Sequence, residues 1–186
     1  MRQKEEFRIS PIGRVRNDFN YEIPLSYGSE ISEIVIDDEY AEGLEDLEEF
    51  SHAIIIYWMD RSKWKSSAIK GHPVAQKDFP AIGVFASRSP IRPNLIGLAT
   101  VKVLKRDRNT LIVEGLDAYN NTPVLDIKPY MLGYDNVKEA KFPAWVYRAW
   151  ELIEEGKRKG EVQSWQKAPS KGGWENWPAL NGNGVR

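Results

Sequence analysis

The side chains best suited to bind a ligand cluster in a short segment at residues 85–94. Arg88 and Arg92 lie there beside Pro90 and Pro93. Because proline fixes φ and restricts the residue before it, this segment should be stiff and both guanidinium groups should project from it. A rigidly held pair of guanidinium groups is a natural clamp for a carboxylate or a phosphate. Two arginines that donate to loop carbonyls and neighbouring acids would give the same pattern, so both interpretations stay open.

A second polar segment, residues 120–130, combines a carboxylate with an amine. Asp126 and Lys128 stand two positions apart, just before Pro129. Side chains at i and i+2 of a strand share one face, so the two charges should be neighbours at a strand end. The pair is either a structural salt bridge or part of a site. By themselves, the two segments indicate no more than a site for a small anionic ligand.

The sequence excludes several common catalytic chemistries. It has no cysteine, which removes disulfides, thiolate nucleophiles, cysteine-ligated zinc and iron–sulfur clusters. The glycine-rich signatures of Rossmann and P-loop nucleotide sites are absent, and His52 and His72 do not form a zinc-protease motif. Because Ser51 directly precedes His52, their side chains should face opposite sides of a strand. We therefore expect His52 to be a hydrogen-bonded strand-end residue rather than half of a serine–histidine dyad, and we expect no metal site.

Composition and charge are those of a globular protein with an uneven surface. The chain has 186 residues, of which 41% are hydrophobic and 28% charged, and its net charge is −1. The balance is −10 in residues 1–60, +6 in residues 61–140 and +3 in residues 141–186. The acidic part predicts a solvated face that a nucleic acid would avoid, while the basic remainder permits a polyanion. With no apolar leader and no apolar run near roughly 18 residues, we expect a cytoplasmic protein without membrane contact.

Hydrophobic patterning predicts a mainly β protein. Strands are expected at residues 7–15 (an edge or bulged strand), 31–37, 53–59 (the central strand), 81–84, 96–104, 110–116 and 124–127, with a charged turn at 105–109. A short amphipathic helix is expected at residues 39–50, a long loop at 61–79 and a full helix at 144–159. Many short strands without long helices between them predict a small antiparallel β-barrel. A C-terminal helix and a tryptophan-rich tail at residues 160–186 should follow it.

Four sequence blocks, in this order along the chain, are similar to a known family. They are Pro11-Ile12-Gly13-Arg14-Val15, the stretch from Gly43 to His52, GVFASRSPIRPNLIGLA at residues 83–99 and LDAYNNTPVLDIKPY at residues 116–130. Together they resemble the TrmO-type (TsaA-like) methyltransferases. The resemblance implies a small non-Rossmann β-barrel, usually a homodimer, that binds S-adenosylmethionine. It further implies methylation of the exocyclic amine of the threonylcarbamoyl-modified adenosine on the 3′ side of the anticodon, within the anticodon stem-loop of tRNA.

The resemblance also assigns roles to individual residues. Those expected to contact the cofactor are Asp60, Arg61, Arg88, Leu98, Asn121, Thr122, Pro123 and Val124. Those expected to shape the site or touch the substrate are Phe85, Ser89, Arg92, Asn94 and Tyr130. A carbamoylated amine has a more acidic proton than plain adenine, and Asp126, held by Lys128, is the candidate catalytic base for it. A structural ion pair at the barrel mouth remains the alternative for these two residues.

Three departures from the family pattern bear on the substrate. Asn121 stands where bacterial members commonly have glycine, and Asp60 stands where they tend to have histidine. Where bacterial members have a long C-terminal domain, we expect a helix and a tail in this sequence. We therefore expect a barrel methyltransferase domain at residues 1–136 and a C-terminal helix with its tail at residues 137–186. The basic residues and tryptophans of the tail either contact RNA bases or pack on the barrel.

Three function classes stay open at this point. The first is a tRNA methyltransferase that uses S-adenosylmethionine, and an electropositive surface continuous with the donor pocket would favour it. The second keeps the cofactor but methylates a small molecule or a protein, and a closed pocket with acidic surroundings would favour it. The third is a non-catalytic S-adenosylmethionine-binding module, in which no path leads an acceptor to the methyl group.

Overall fold

The computed structural model describes residues 6–18, 31–72 and 79–159. The chain divides into two compact units. The barrel unit comprises the described residues 6–18, 31–59 and 97–132, and the second unit comprises 60–72, 79–96 and 133–159. The tryptophan-rich tail lies outside the described residues, and both interpretations of it remain predictions.

The barrel unit forms a closed antiparallel barrel, which confirms the predicted fold class. The strands within the described residues are β1 (Gly13–Arg16), β2 (Ile31–Ile36), β3 (His52–Trp58), β4 (Lys70–Gly71), β5 (Ile82–Gly83), β6 (Ile96–Asp107), β7 (Thr110–Glu114) and β8 (Pro123–Pro129). Six of them close the barrel in the spatial order β1-β2-β7-β6-β3-β8. Closure comes from β1, in which Gly13 lies opposite Ile36 of β2 on one side and Val124 of β8 on the other. The predicted edge strand therefore has two partners, and it begins only at Gly13.

Alternating side chains fill the barrel interior. In β3, Ala53, Ile55 and Tyr57 are buried while the residues between them are half-buried. The same alternation in the other strands adds Val15, Ile34, Ile36, Val101, Val103, Leu111, Val113 and Val124 to the core. Branched side chains pack well on a pleated surface, which explains why the run after His52 becomes the central strand, between β6 and β8.

The tyrosine at the end of β3 is locked in place from two sides. Its hydroxyl donates a hydrogen bond to the carbonyl oxygen of Asp117 at 2.8 Å. Its ring lies against Gly97 so closely that a Cβ atom at Gly97 would overlap the ring. Gly97 is therefore required by the packing of Tyr57, and it belongs to the same sequence block as Arg88.

The prediction of one amphipathic helix at residues 39–50 is wrong, because the segment is not a continuous α-helix. The segment forms two 3₁₀ helices, Asp38–Leu44 and Leu47–Glu49, separated by Asp46 in the left-handed region at φ 63°. Acidic residues occupy positions three and four apart and no basic residue lies between them in the sequence, and like charges at that spacing destabilise an α-helix. The same charges act on Tyr40: the neighbouring Glu39 carboxylate, above all, raises the pKa of the Tyr40 hydroxyl. Leu44 and Leu47 still anchor the segment, since both are buried.

In the hairpin between β6 and β7, the strand β6 is longer and the turn is shorter than the sequence predicts. β6 continues through the charged residues to Asp107, and only Arg108 and Asn109 form the turn. Arg108 has φ 54°, and Asn109 donates from its side-chain amide to the carbonyl of Ile36 at 2.9 Å. Charged residues can extend a strand where their side chains face solvent. The run of charged residues at 105–107 therefore did not predict the position of the turn.

The second unit contains little regular structure. The short strands β4 and β5 pair with each other, next to 3₁₀ turns at Ser66–Ile69 and Val84–Ala86. Two helices come later in the chain, α1 (Leu132–Asp135) and α2 (Ala144–Lys159), and α2 has the bounds that the sequence predicts. Within the described ranges, no helix is both long and apolar enough to cross a membrane.

Candidate functional site

The loop that leads into β8 is tied to β1 by its backbone. Asn121 donates its N–H to the carbonyl of Val15 at 2.8 Å, and its own carbonyl accepts from Arg14 Nη1 at 3.0 Å. The N–H of Val15 donates to the carbonyl of Thr122 at 3.0 Å. Asn121 adopts φ 68°, in the left-handed region that glycine and asparagine enter at the lowest cost. Asparagine at this position is therefore compatible with the turn that glycine would make.

This backbone conformation gives a direct prediction for Asn121. Asn121→Ala should lower the free energy of unfolding by about 1 kcal/mol, because a Cβ-bearing residue without a short polar side chain is strained at positive φ. Asn121→Gly is the matched control and should leave stability within about 0.5 kcal/mol of the parent. Urea unfolding of the three proteins measures the difference. An alanine variant as stable as the glycine variant would show that the left-handed conformation is absent.

The four residues of this loop expected to contact a cofactor differ in exposure. Thr122 and Val124 are buried, at 3% and 0% exposure, whereas Asn121 is exposed and Pro123 is half-buried. Buried side chains cannot reach a ligand on the surface, so Thr122 and Val124 can contribute only backbone atoms. Leu98, in β6 of the same unit, is 46% exposed. The barrel unit thus offers an exposed amide and an exposed apolar side chain, which suit the polar and ring parts of a nucleoside.

The arginine segment belongs to the second unit and is held together by its own side chains. Ser87 Oγ donates to the carbonyl of Val84 at 2.8 Å, and Ser89 Oγ accepts from the N–H of Ile91 at 3.2 Å. Arg92 Nη1 donates to the carbonyls of Ser87 and Ser89, both at 3.2 Å. The prediction of two projecting guanidinium groups is therefore wrong for Arg92, which has the alternative role of bonding loop carbonyls.

The remaining predicted residues of the second unit are at or near the surface. Arg88 is exposed, and Phe85 is 75% exposed. The carbonyl of Asn94 accepts from the N–H of Ile96 at 2.8 Å, which turns the chain into β6. Asp60 and Arg61 are both exposed, immediately after the end of β3 and Met59.

The two hydrogen bonds from Arg92 to loop carbonyls give a prediction that can be tested without a ligand. Because Pro93 follows Arg92, trypsin can cut this loop only after Arg88. Arg92→Ala should therefore speed tryptic cleavage after Arg88 severalfold, since the loop loses two hydrogen bonds that restrict its opening. Phe85→Ala, which removes an exposed side chain from the same loop, should be cleaved by trypsin at the parental rate. Equal cleavage of all three proteins would contradict a structural role for Arg92.

Asp126 and Lys128 form the ion pair that their spacing predicts. Lys128 Nζ lies 2.7 Å from Asp126 Oδ2, while Asp126 Oδ1 accepts from the N–H of Ile127 at 2.8 Å. The register of β3 and β8 shifts between Ile56, which faces Asp126, and Tyr57, which faces Val124. Leu125 is the extra residue of this bulge. Because of it, Val124 is buried whereas Asp126 pairs with a half-buried residue of β3.

The histidine at the start of β3 contacts Ser51, so the expectation that the two side chains face opposite sides of a strand is wrong. Ser51 Oγ lies 2.9 Å from His52 Nδ1, so the two side chains meet although they are adjacent. Ser51 precedes the strand, where the alternation of faces does not yet apply. The N–H of Tyr130 donates to the carbonyl of His52 at 3.0 Å, and the two rings pack edge to face at 6.3 Å. His52 is thus hydrogen-bonded at a strand end, as predicted.

A shallow depression of about 350 Å³ lies beside this histidine on the barrel unit. It is lined by His52, Thr100, Lys102, Glu114 and Gly115. Lys102 Nζ and Glu114 Oε2 are 3.5 Å apart across it. None of the residues predicted to bind a ligand lines the depression. In the described part of the chain, no three His, Asp or Glu side chains are grouped so that they could hold a metal ion.

Comparison with known proteins identifies relatives of this chain. A family model described as the tRNA-methyltransferase O N-terminal domain matches residues 22–136. An S-adenosyl-L-methionine-binding protein of Archaeoglobus fulgidus is 41% identical over 135 residues, which are 70% of this chain and 94% of that protein. A probable S-adenosyl-L-methionine-binding protein of the same organism is 45% identical over 115 residues, which are 62% of this chain but only 30% of its relative.

Two further relatives extend the comparison to a named enzyme and to a solved structure. The human tRNA (adenine(37)-N6)-methyltransferase is 38% identical over 97 residues, which are 52% of this chain and 22% of that enzyme. A crystal structure of TrmO from Pseudomonas aeruginosa has a TM-score of 0.59 and 28% identity, and the match covers 74% of this chain and 61% of that one. The closed barrel, the sequence blocks around Arg88 and Asn121, and the family match over residues 22–136 agree, and the chain belongs to the TrmO family of methyltransferases.

Proposed function

We propose that the protein transfers a methyl group from S-adenosylmethionine to the exocyclic amine of the adenosine on the 3′ side of the anticodon in tRNA. The observation that carries the proposal is the family match over residues 22–136. The human relative, named as a tRNA (adenine(37)-N6)-methyltransferase, supports the acceptor, although the match spans only 22% of that enzyme. Relatives named as S-adenosyl-L-methionine-binding proteins support the cofactor.

The residues of each unit fit the cofactor that the family uses. In the barrel unit, the exposed Asn121 amide can bond polar groups of a nucleoside, and exposed Leu98 can pack on its ring. In the second unit, exposed Arg88 offers the guanidinium group that a methionine carboxylate requires. The bound cofactor would supply an electrophilic methyl group on a sulfonium sulfur. The side chains of Asn121 and Leu98 in the barrel unit would serve to orient the donor, which is much of what an in-line displacement needs.

The acceptor amine must lose a proton, and Asp126 is the proposed base. Its carboxylate is 43% exposed, so a substrate can reach it, and Lys128 holds it at 2.7 Å. General base catalysis requires direct or water-mediated contact between the carboxylate and that proton. The rival interpretation, a structural ion pair, predicts that Asp126→Asn leaves the turnover number unchanged.

The charge distribution restricts where tRNA can dock. Eight acidic residues lie in the segment that runs from Asp37 to Glu49, and most of them are exposed. One of them, Glu48, has its Oε1 atom 3.9 Å from Arg106 Nη1. Even with this ion pair, eight acidic residues and no basic residue leave the segment strongly negative. We propose that tRNA binds away from this segment. The two-domain division at residue 136, assembly as a homodimer and a cytoplasmic location are retained as parts of the same proposal.

A second candidate function is a module that binds the cofactor without transferring its methyl group. The archaeal relatives favour it, because their names state binding of S-adenosyl-L-methionine and not catalysis. A methyltransferase for small molecules or proteins is the third. All three functions require cofactor binding. Calorimetry should accordingly show micromolar affinity for S-adenosylmethionine, about −8 kcal/mol.

Transfer of a labelled methyl group separates the three candidates. The full-length protein is incubated with methyl-labelled S-adenosylmethionine and, in parallel, with total tRNA, with a protein extract and with a small-molecule extract. Label in the tRNA alone supports the proposal. Label in either of the other two fractions assigns a methyltransferase for small molecules or proteins. Binding of the cofactor without any transfer assigns the non-catalytic module.

A further inference from the structure

Asn17, the residue that follows β1, joins three separate parts of the barrel unit. Its backbone N–H donates to Asn120 Oδ1 at 3.2 Å. Its side-chain amide donates to the carbonyl of Ala118 at 3.0 Å and to Ser32 Oγ at 2.9 Å. Asn17 therefore connects the end of β1 with the β2 strand and with two residues of the loop that precedes β8.

The surroundings make these hydrogen bonds costly to lose. Ser32 is 1% exposed and Ala118 is 4% exposed, while Asn17 itself is half-buried. A carboxamide nitrogen has two donor hydrogens, and the side chain of Asn17 uses both. Without it, the carbonyl of Ala118 and the hydroxyl of Ser32 lose a donor in a place with little access to water, and such groups are rarely left unsatisfied.

The loop is held at both of its ends, and Asn17 holds the first. Asn121 and Thr122 are bonded to Val15 in β1, which fixes the second half of the loop. Ala118 and Asn120 are bonded to Asn17, which fixes the first half. Asn121, at φ 68°, lies directly after the part that Asn17 controls. A change at Asn17 should therefore move Asn121 while leaving the six strands of the barrel in place.

We infer that Asn17 is the positioning residue that sets the loop at residues 118–122, and through it Asn121, for cofactor binding. This inference rests on the proposed cofactor role of that loop. Asn17 itself needs no contact with the cofactor. Asn17 acts by restricting the loop to one conformation. Without it, the loop would sample several arrangements, and part of the binding energy would be used to order it.

Two variants and a matched control test the inference. Asn17→Asp keeps the size and the backbone donor but loses both side-chain donors. Asn120→Ala removes the acceptor of the Asn17 N–H and serves if the first variant folds poorly. The control is Ile36→Val or Ile36→Ala, whichever matches the unfolding midpoint of Asn17→Asp, because Ile36 is buried in the barrel and lies opposite Gly13, at the end of β1 remote from Asn17.

Hydrogen exchange and calorimetry supply the two readouts. Exchange at the amides of Asn121 and Thr122 should speed up about tenfold in Asn17→Asp, with Ile55 in β3 unchanged. The Kd for S-adenosylmethionine should rise at least about fivefold in that variant and stay at the parental value in the Ile36 control. In turnover assays the KM for the cofactor should rise while kcat is retained.

The outcomes are distinguishable. Unchanged loop exchange, or faster exchange with an unchanged Kd, would overturn the inference. A loss of affinity equal to that of the destabilised control would overturn it too, because it would assign Asn17 a purely structural role. If the parent protein binds no S-adenosylmethionine, the proposed function itself fails, and the exchange data alone then report whether Asn17 orders the loop.

Discussion

Arg88→Ala is expected to weaken S-adenosylmethionine binding at least about tenfold, roughly 1.4 kcal/mol, while the protein stays folded. Arg88 is exposed on a loop whose conformation is fixed by Ser87, Ser89 and Arg92. A guanidinium group on a rigid support loses little conformational freedom on binding, so most of its interaction energy appears as affinity. Calorimetry on the full-length protein measures the effect.

Two controls separate a specific contact from general charge. Lys105→Ala removes an exposed positive charge from β6 and should leave the affinity unchanged. Arg88→Lys keeps the charge but loses the planar fork, and it should recover only part of the affinity. If Arg88→Ala binds the cofactor like the parent protein, Arg88 does not contact the cofactor and the residue role implied by the family resemblance fails at this position.

Gly97→Ala is expected to destabilise the barrel unit by about 3 kcal/mol. The added Cβ would overlap the ring of Tyr57, which cannot move aside because its hydroxyl is bonded to Asp117 and the ring is 7% exposed. The strand β6 must shift relative to β3 instead, and Leu98 shifts with it. We therefore expect cofactor affinity to fall as well, even where the variant remains folded. Urea unfolding followed by tryptophan fluorescence measures the stability.

Gly43→Ala is the matched control for this change. A Cβ at Gly43 would meet no atom within 4 Å, so its stability should stay within about 0.5 kcal/mol of the parent. A second test replaces the obstacle: Tyr57→Phe removes the bond to Asp117 and should make Gly97→Ala less damaging in the double variant. Stability of Gly97→Ala equal to that of Gly43→Ala would contradict the close packing of Tyr57 on Gly97.

Periodicity in the sequence was sufficient for the elements that dominate the fold. The run after His52 predicts the central strand because its seven consecutive apolar residues fit a buried strand, and in the structure buried and half-buried positions alternate along it. The helix Ala144–Lys159 has the predicted bounds, since its apolar spacing and the glycine at position 160 are local signals. Closure into a barrel followed from the number of short strands without long helices between them.

Register and local helix type could not be read from the same signals. The bulge at Leu125 buries Val124 and pairs Asp126 with half-buried Ile56, and a pattern of period two carries no mark of such an extra residue. The segment from Asp38 to Glu49 has α-helical spacing of apolar residues, yet the repulsion between its closely spaced acidic charges and the left-handed Asp46 break it into 3₁₀ turns.

The candidate site was predicted only where local chemistry or the family resemblance marked it. The ion pair of Asp126 and Lys128 follows from a spacing of two on one strand. The internal role of Arg92 depends on the direction of its side chain, which the residue type does not specify. Asn17 bonds residues about a hundred positions away, and no local pattern in a single sequence reports such a contact.

The most direct test of the proposed activity is methyl transfer to defined tRNA. The full-length protein is incubated with methyl-labelled S-adenosylmethionine and with threonylcarbamoyl-modified tRNA, and the digested nucleosides are separated by mass spectrometry. A matched tRNA carries guanosine in place of the adenosine on the 3′ side of the anticodon. We expect label on the exocyclic amine of that adenosine in the first tRNA and none in the second. Equal labelling of both tRNAs, or binding of the cofactor with no label in either, would contradict the proposed function.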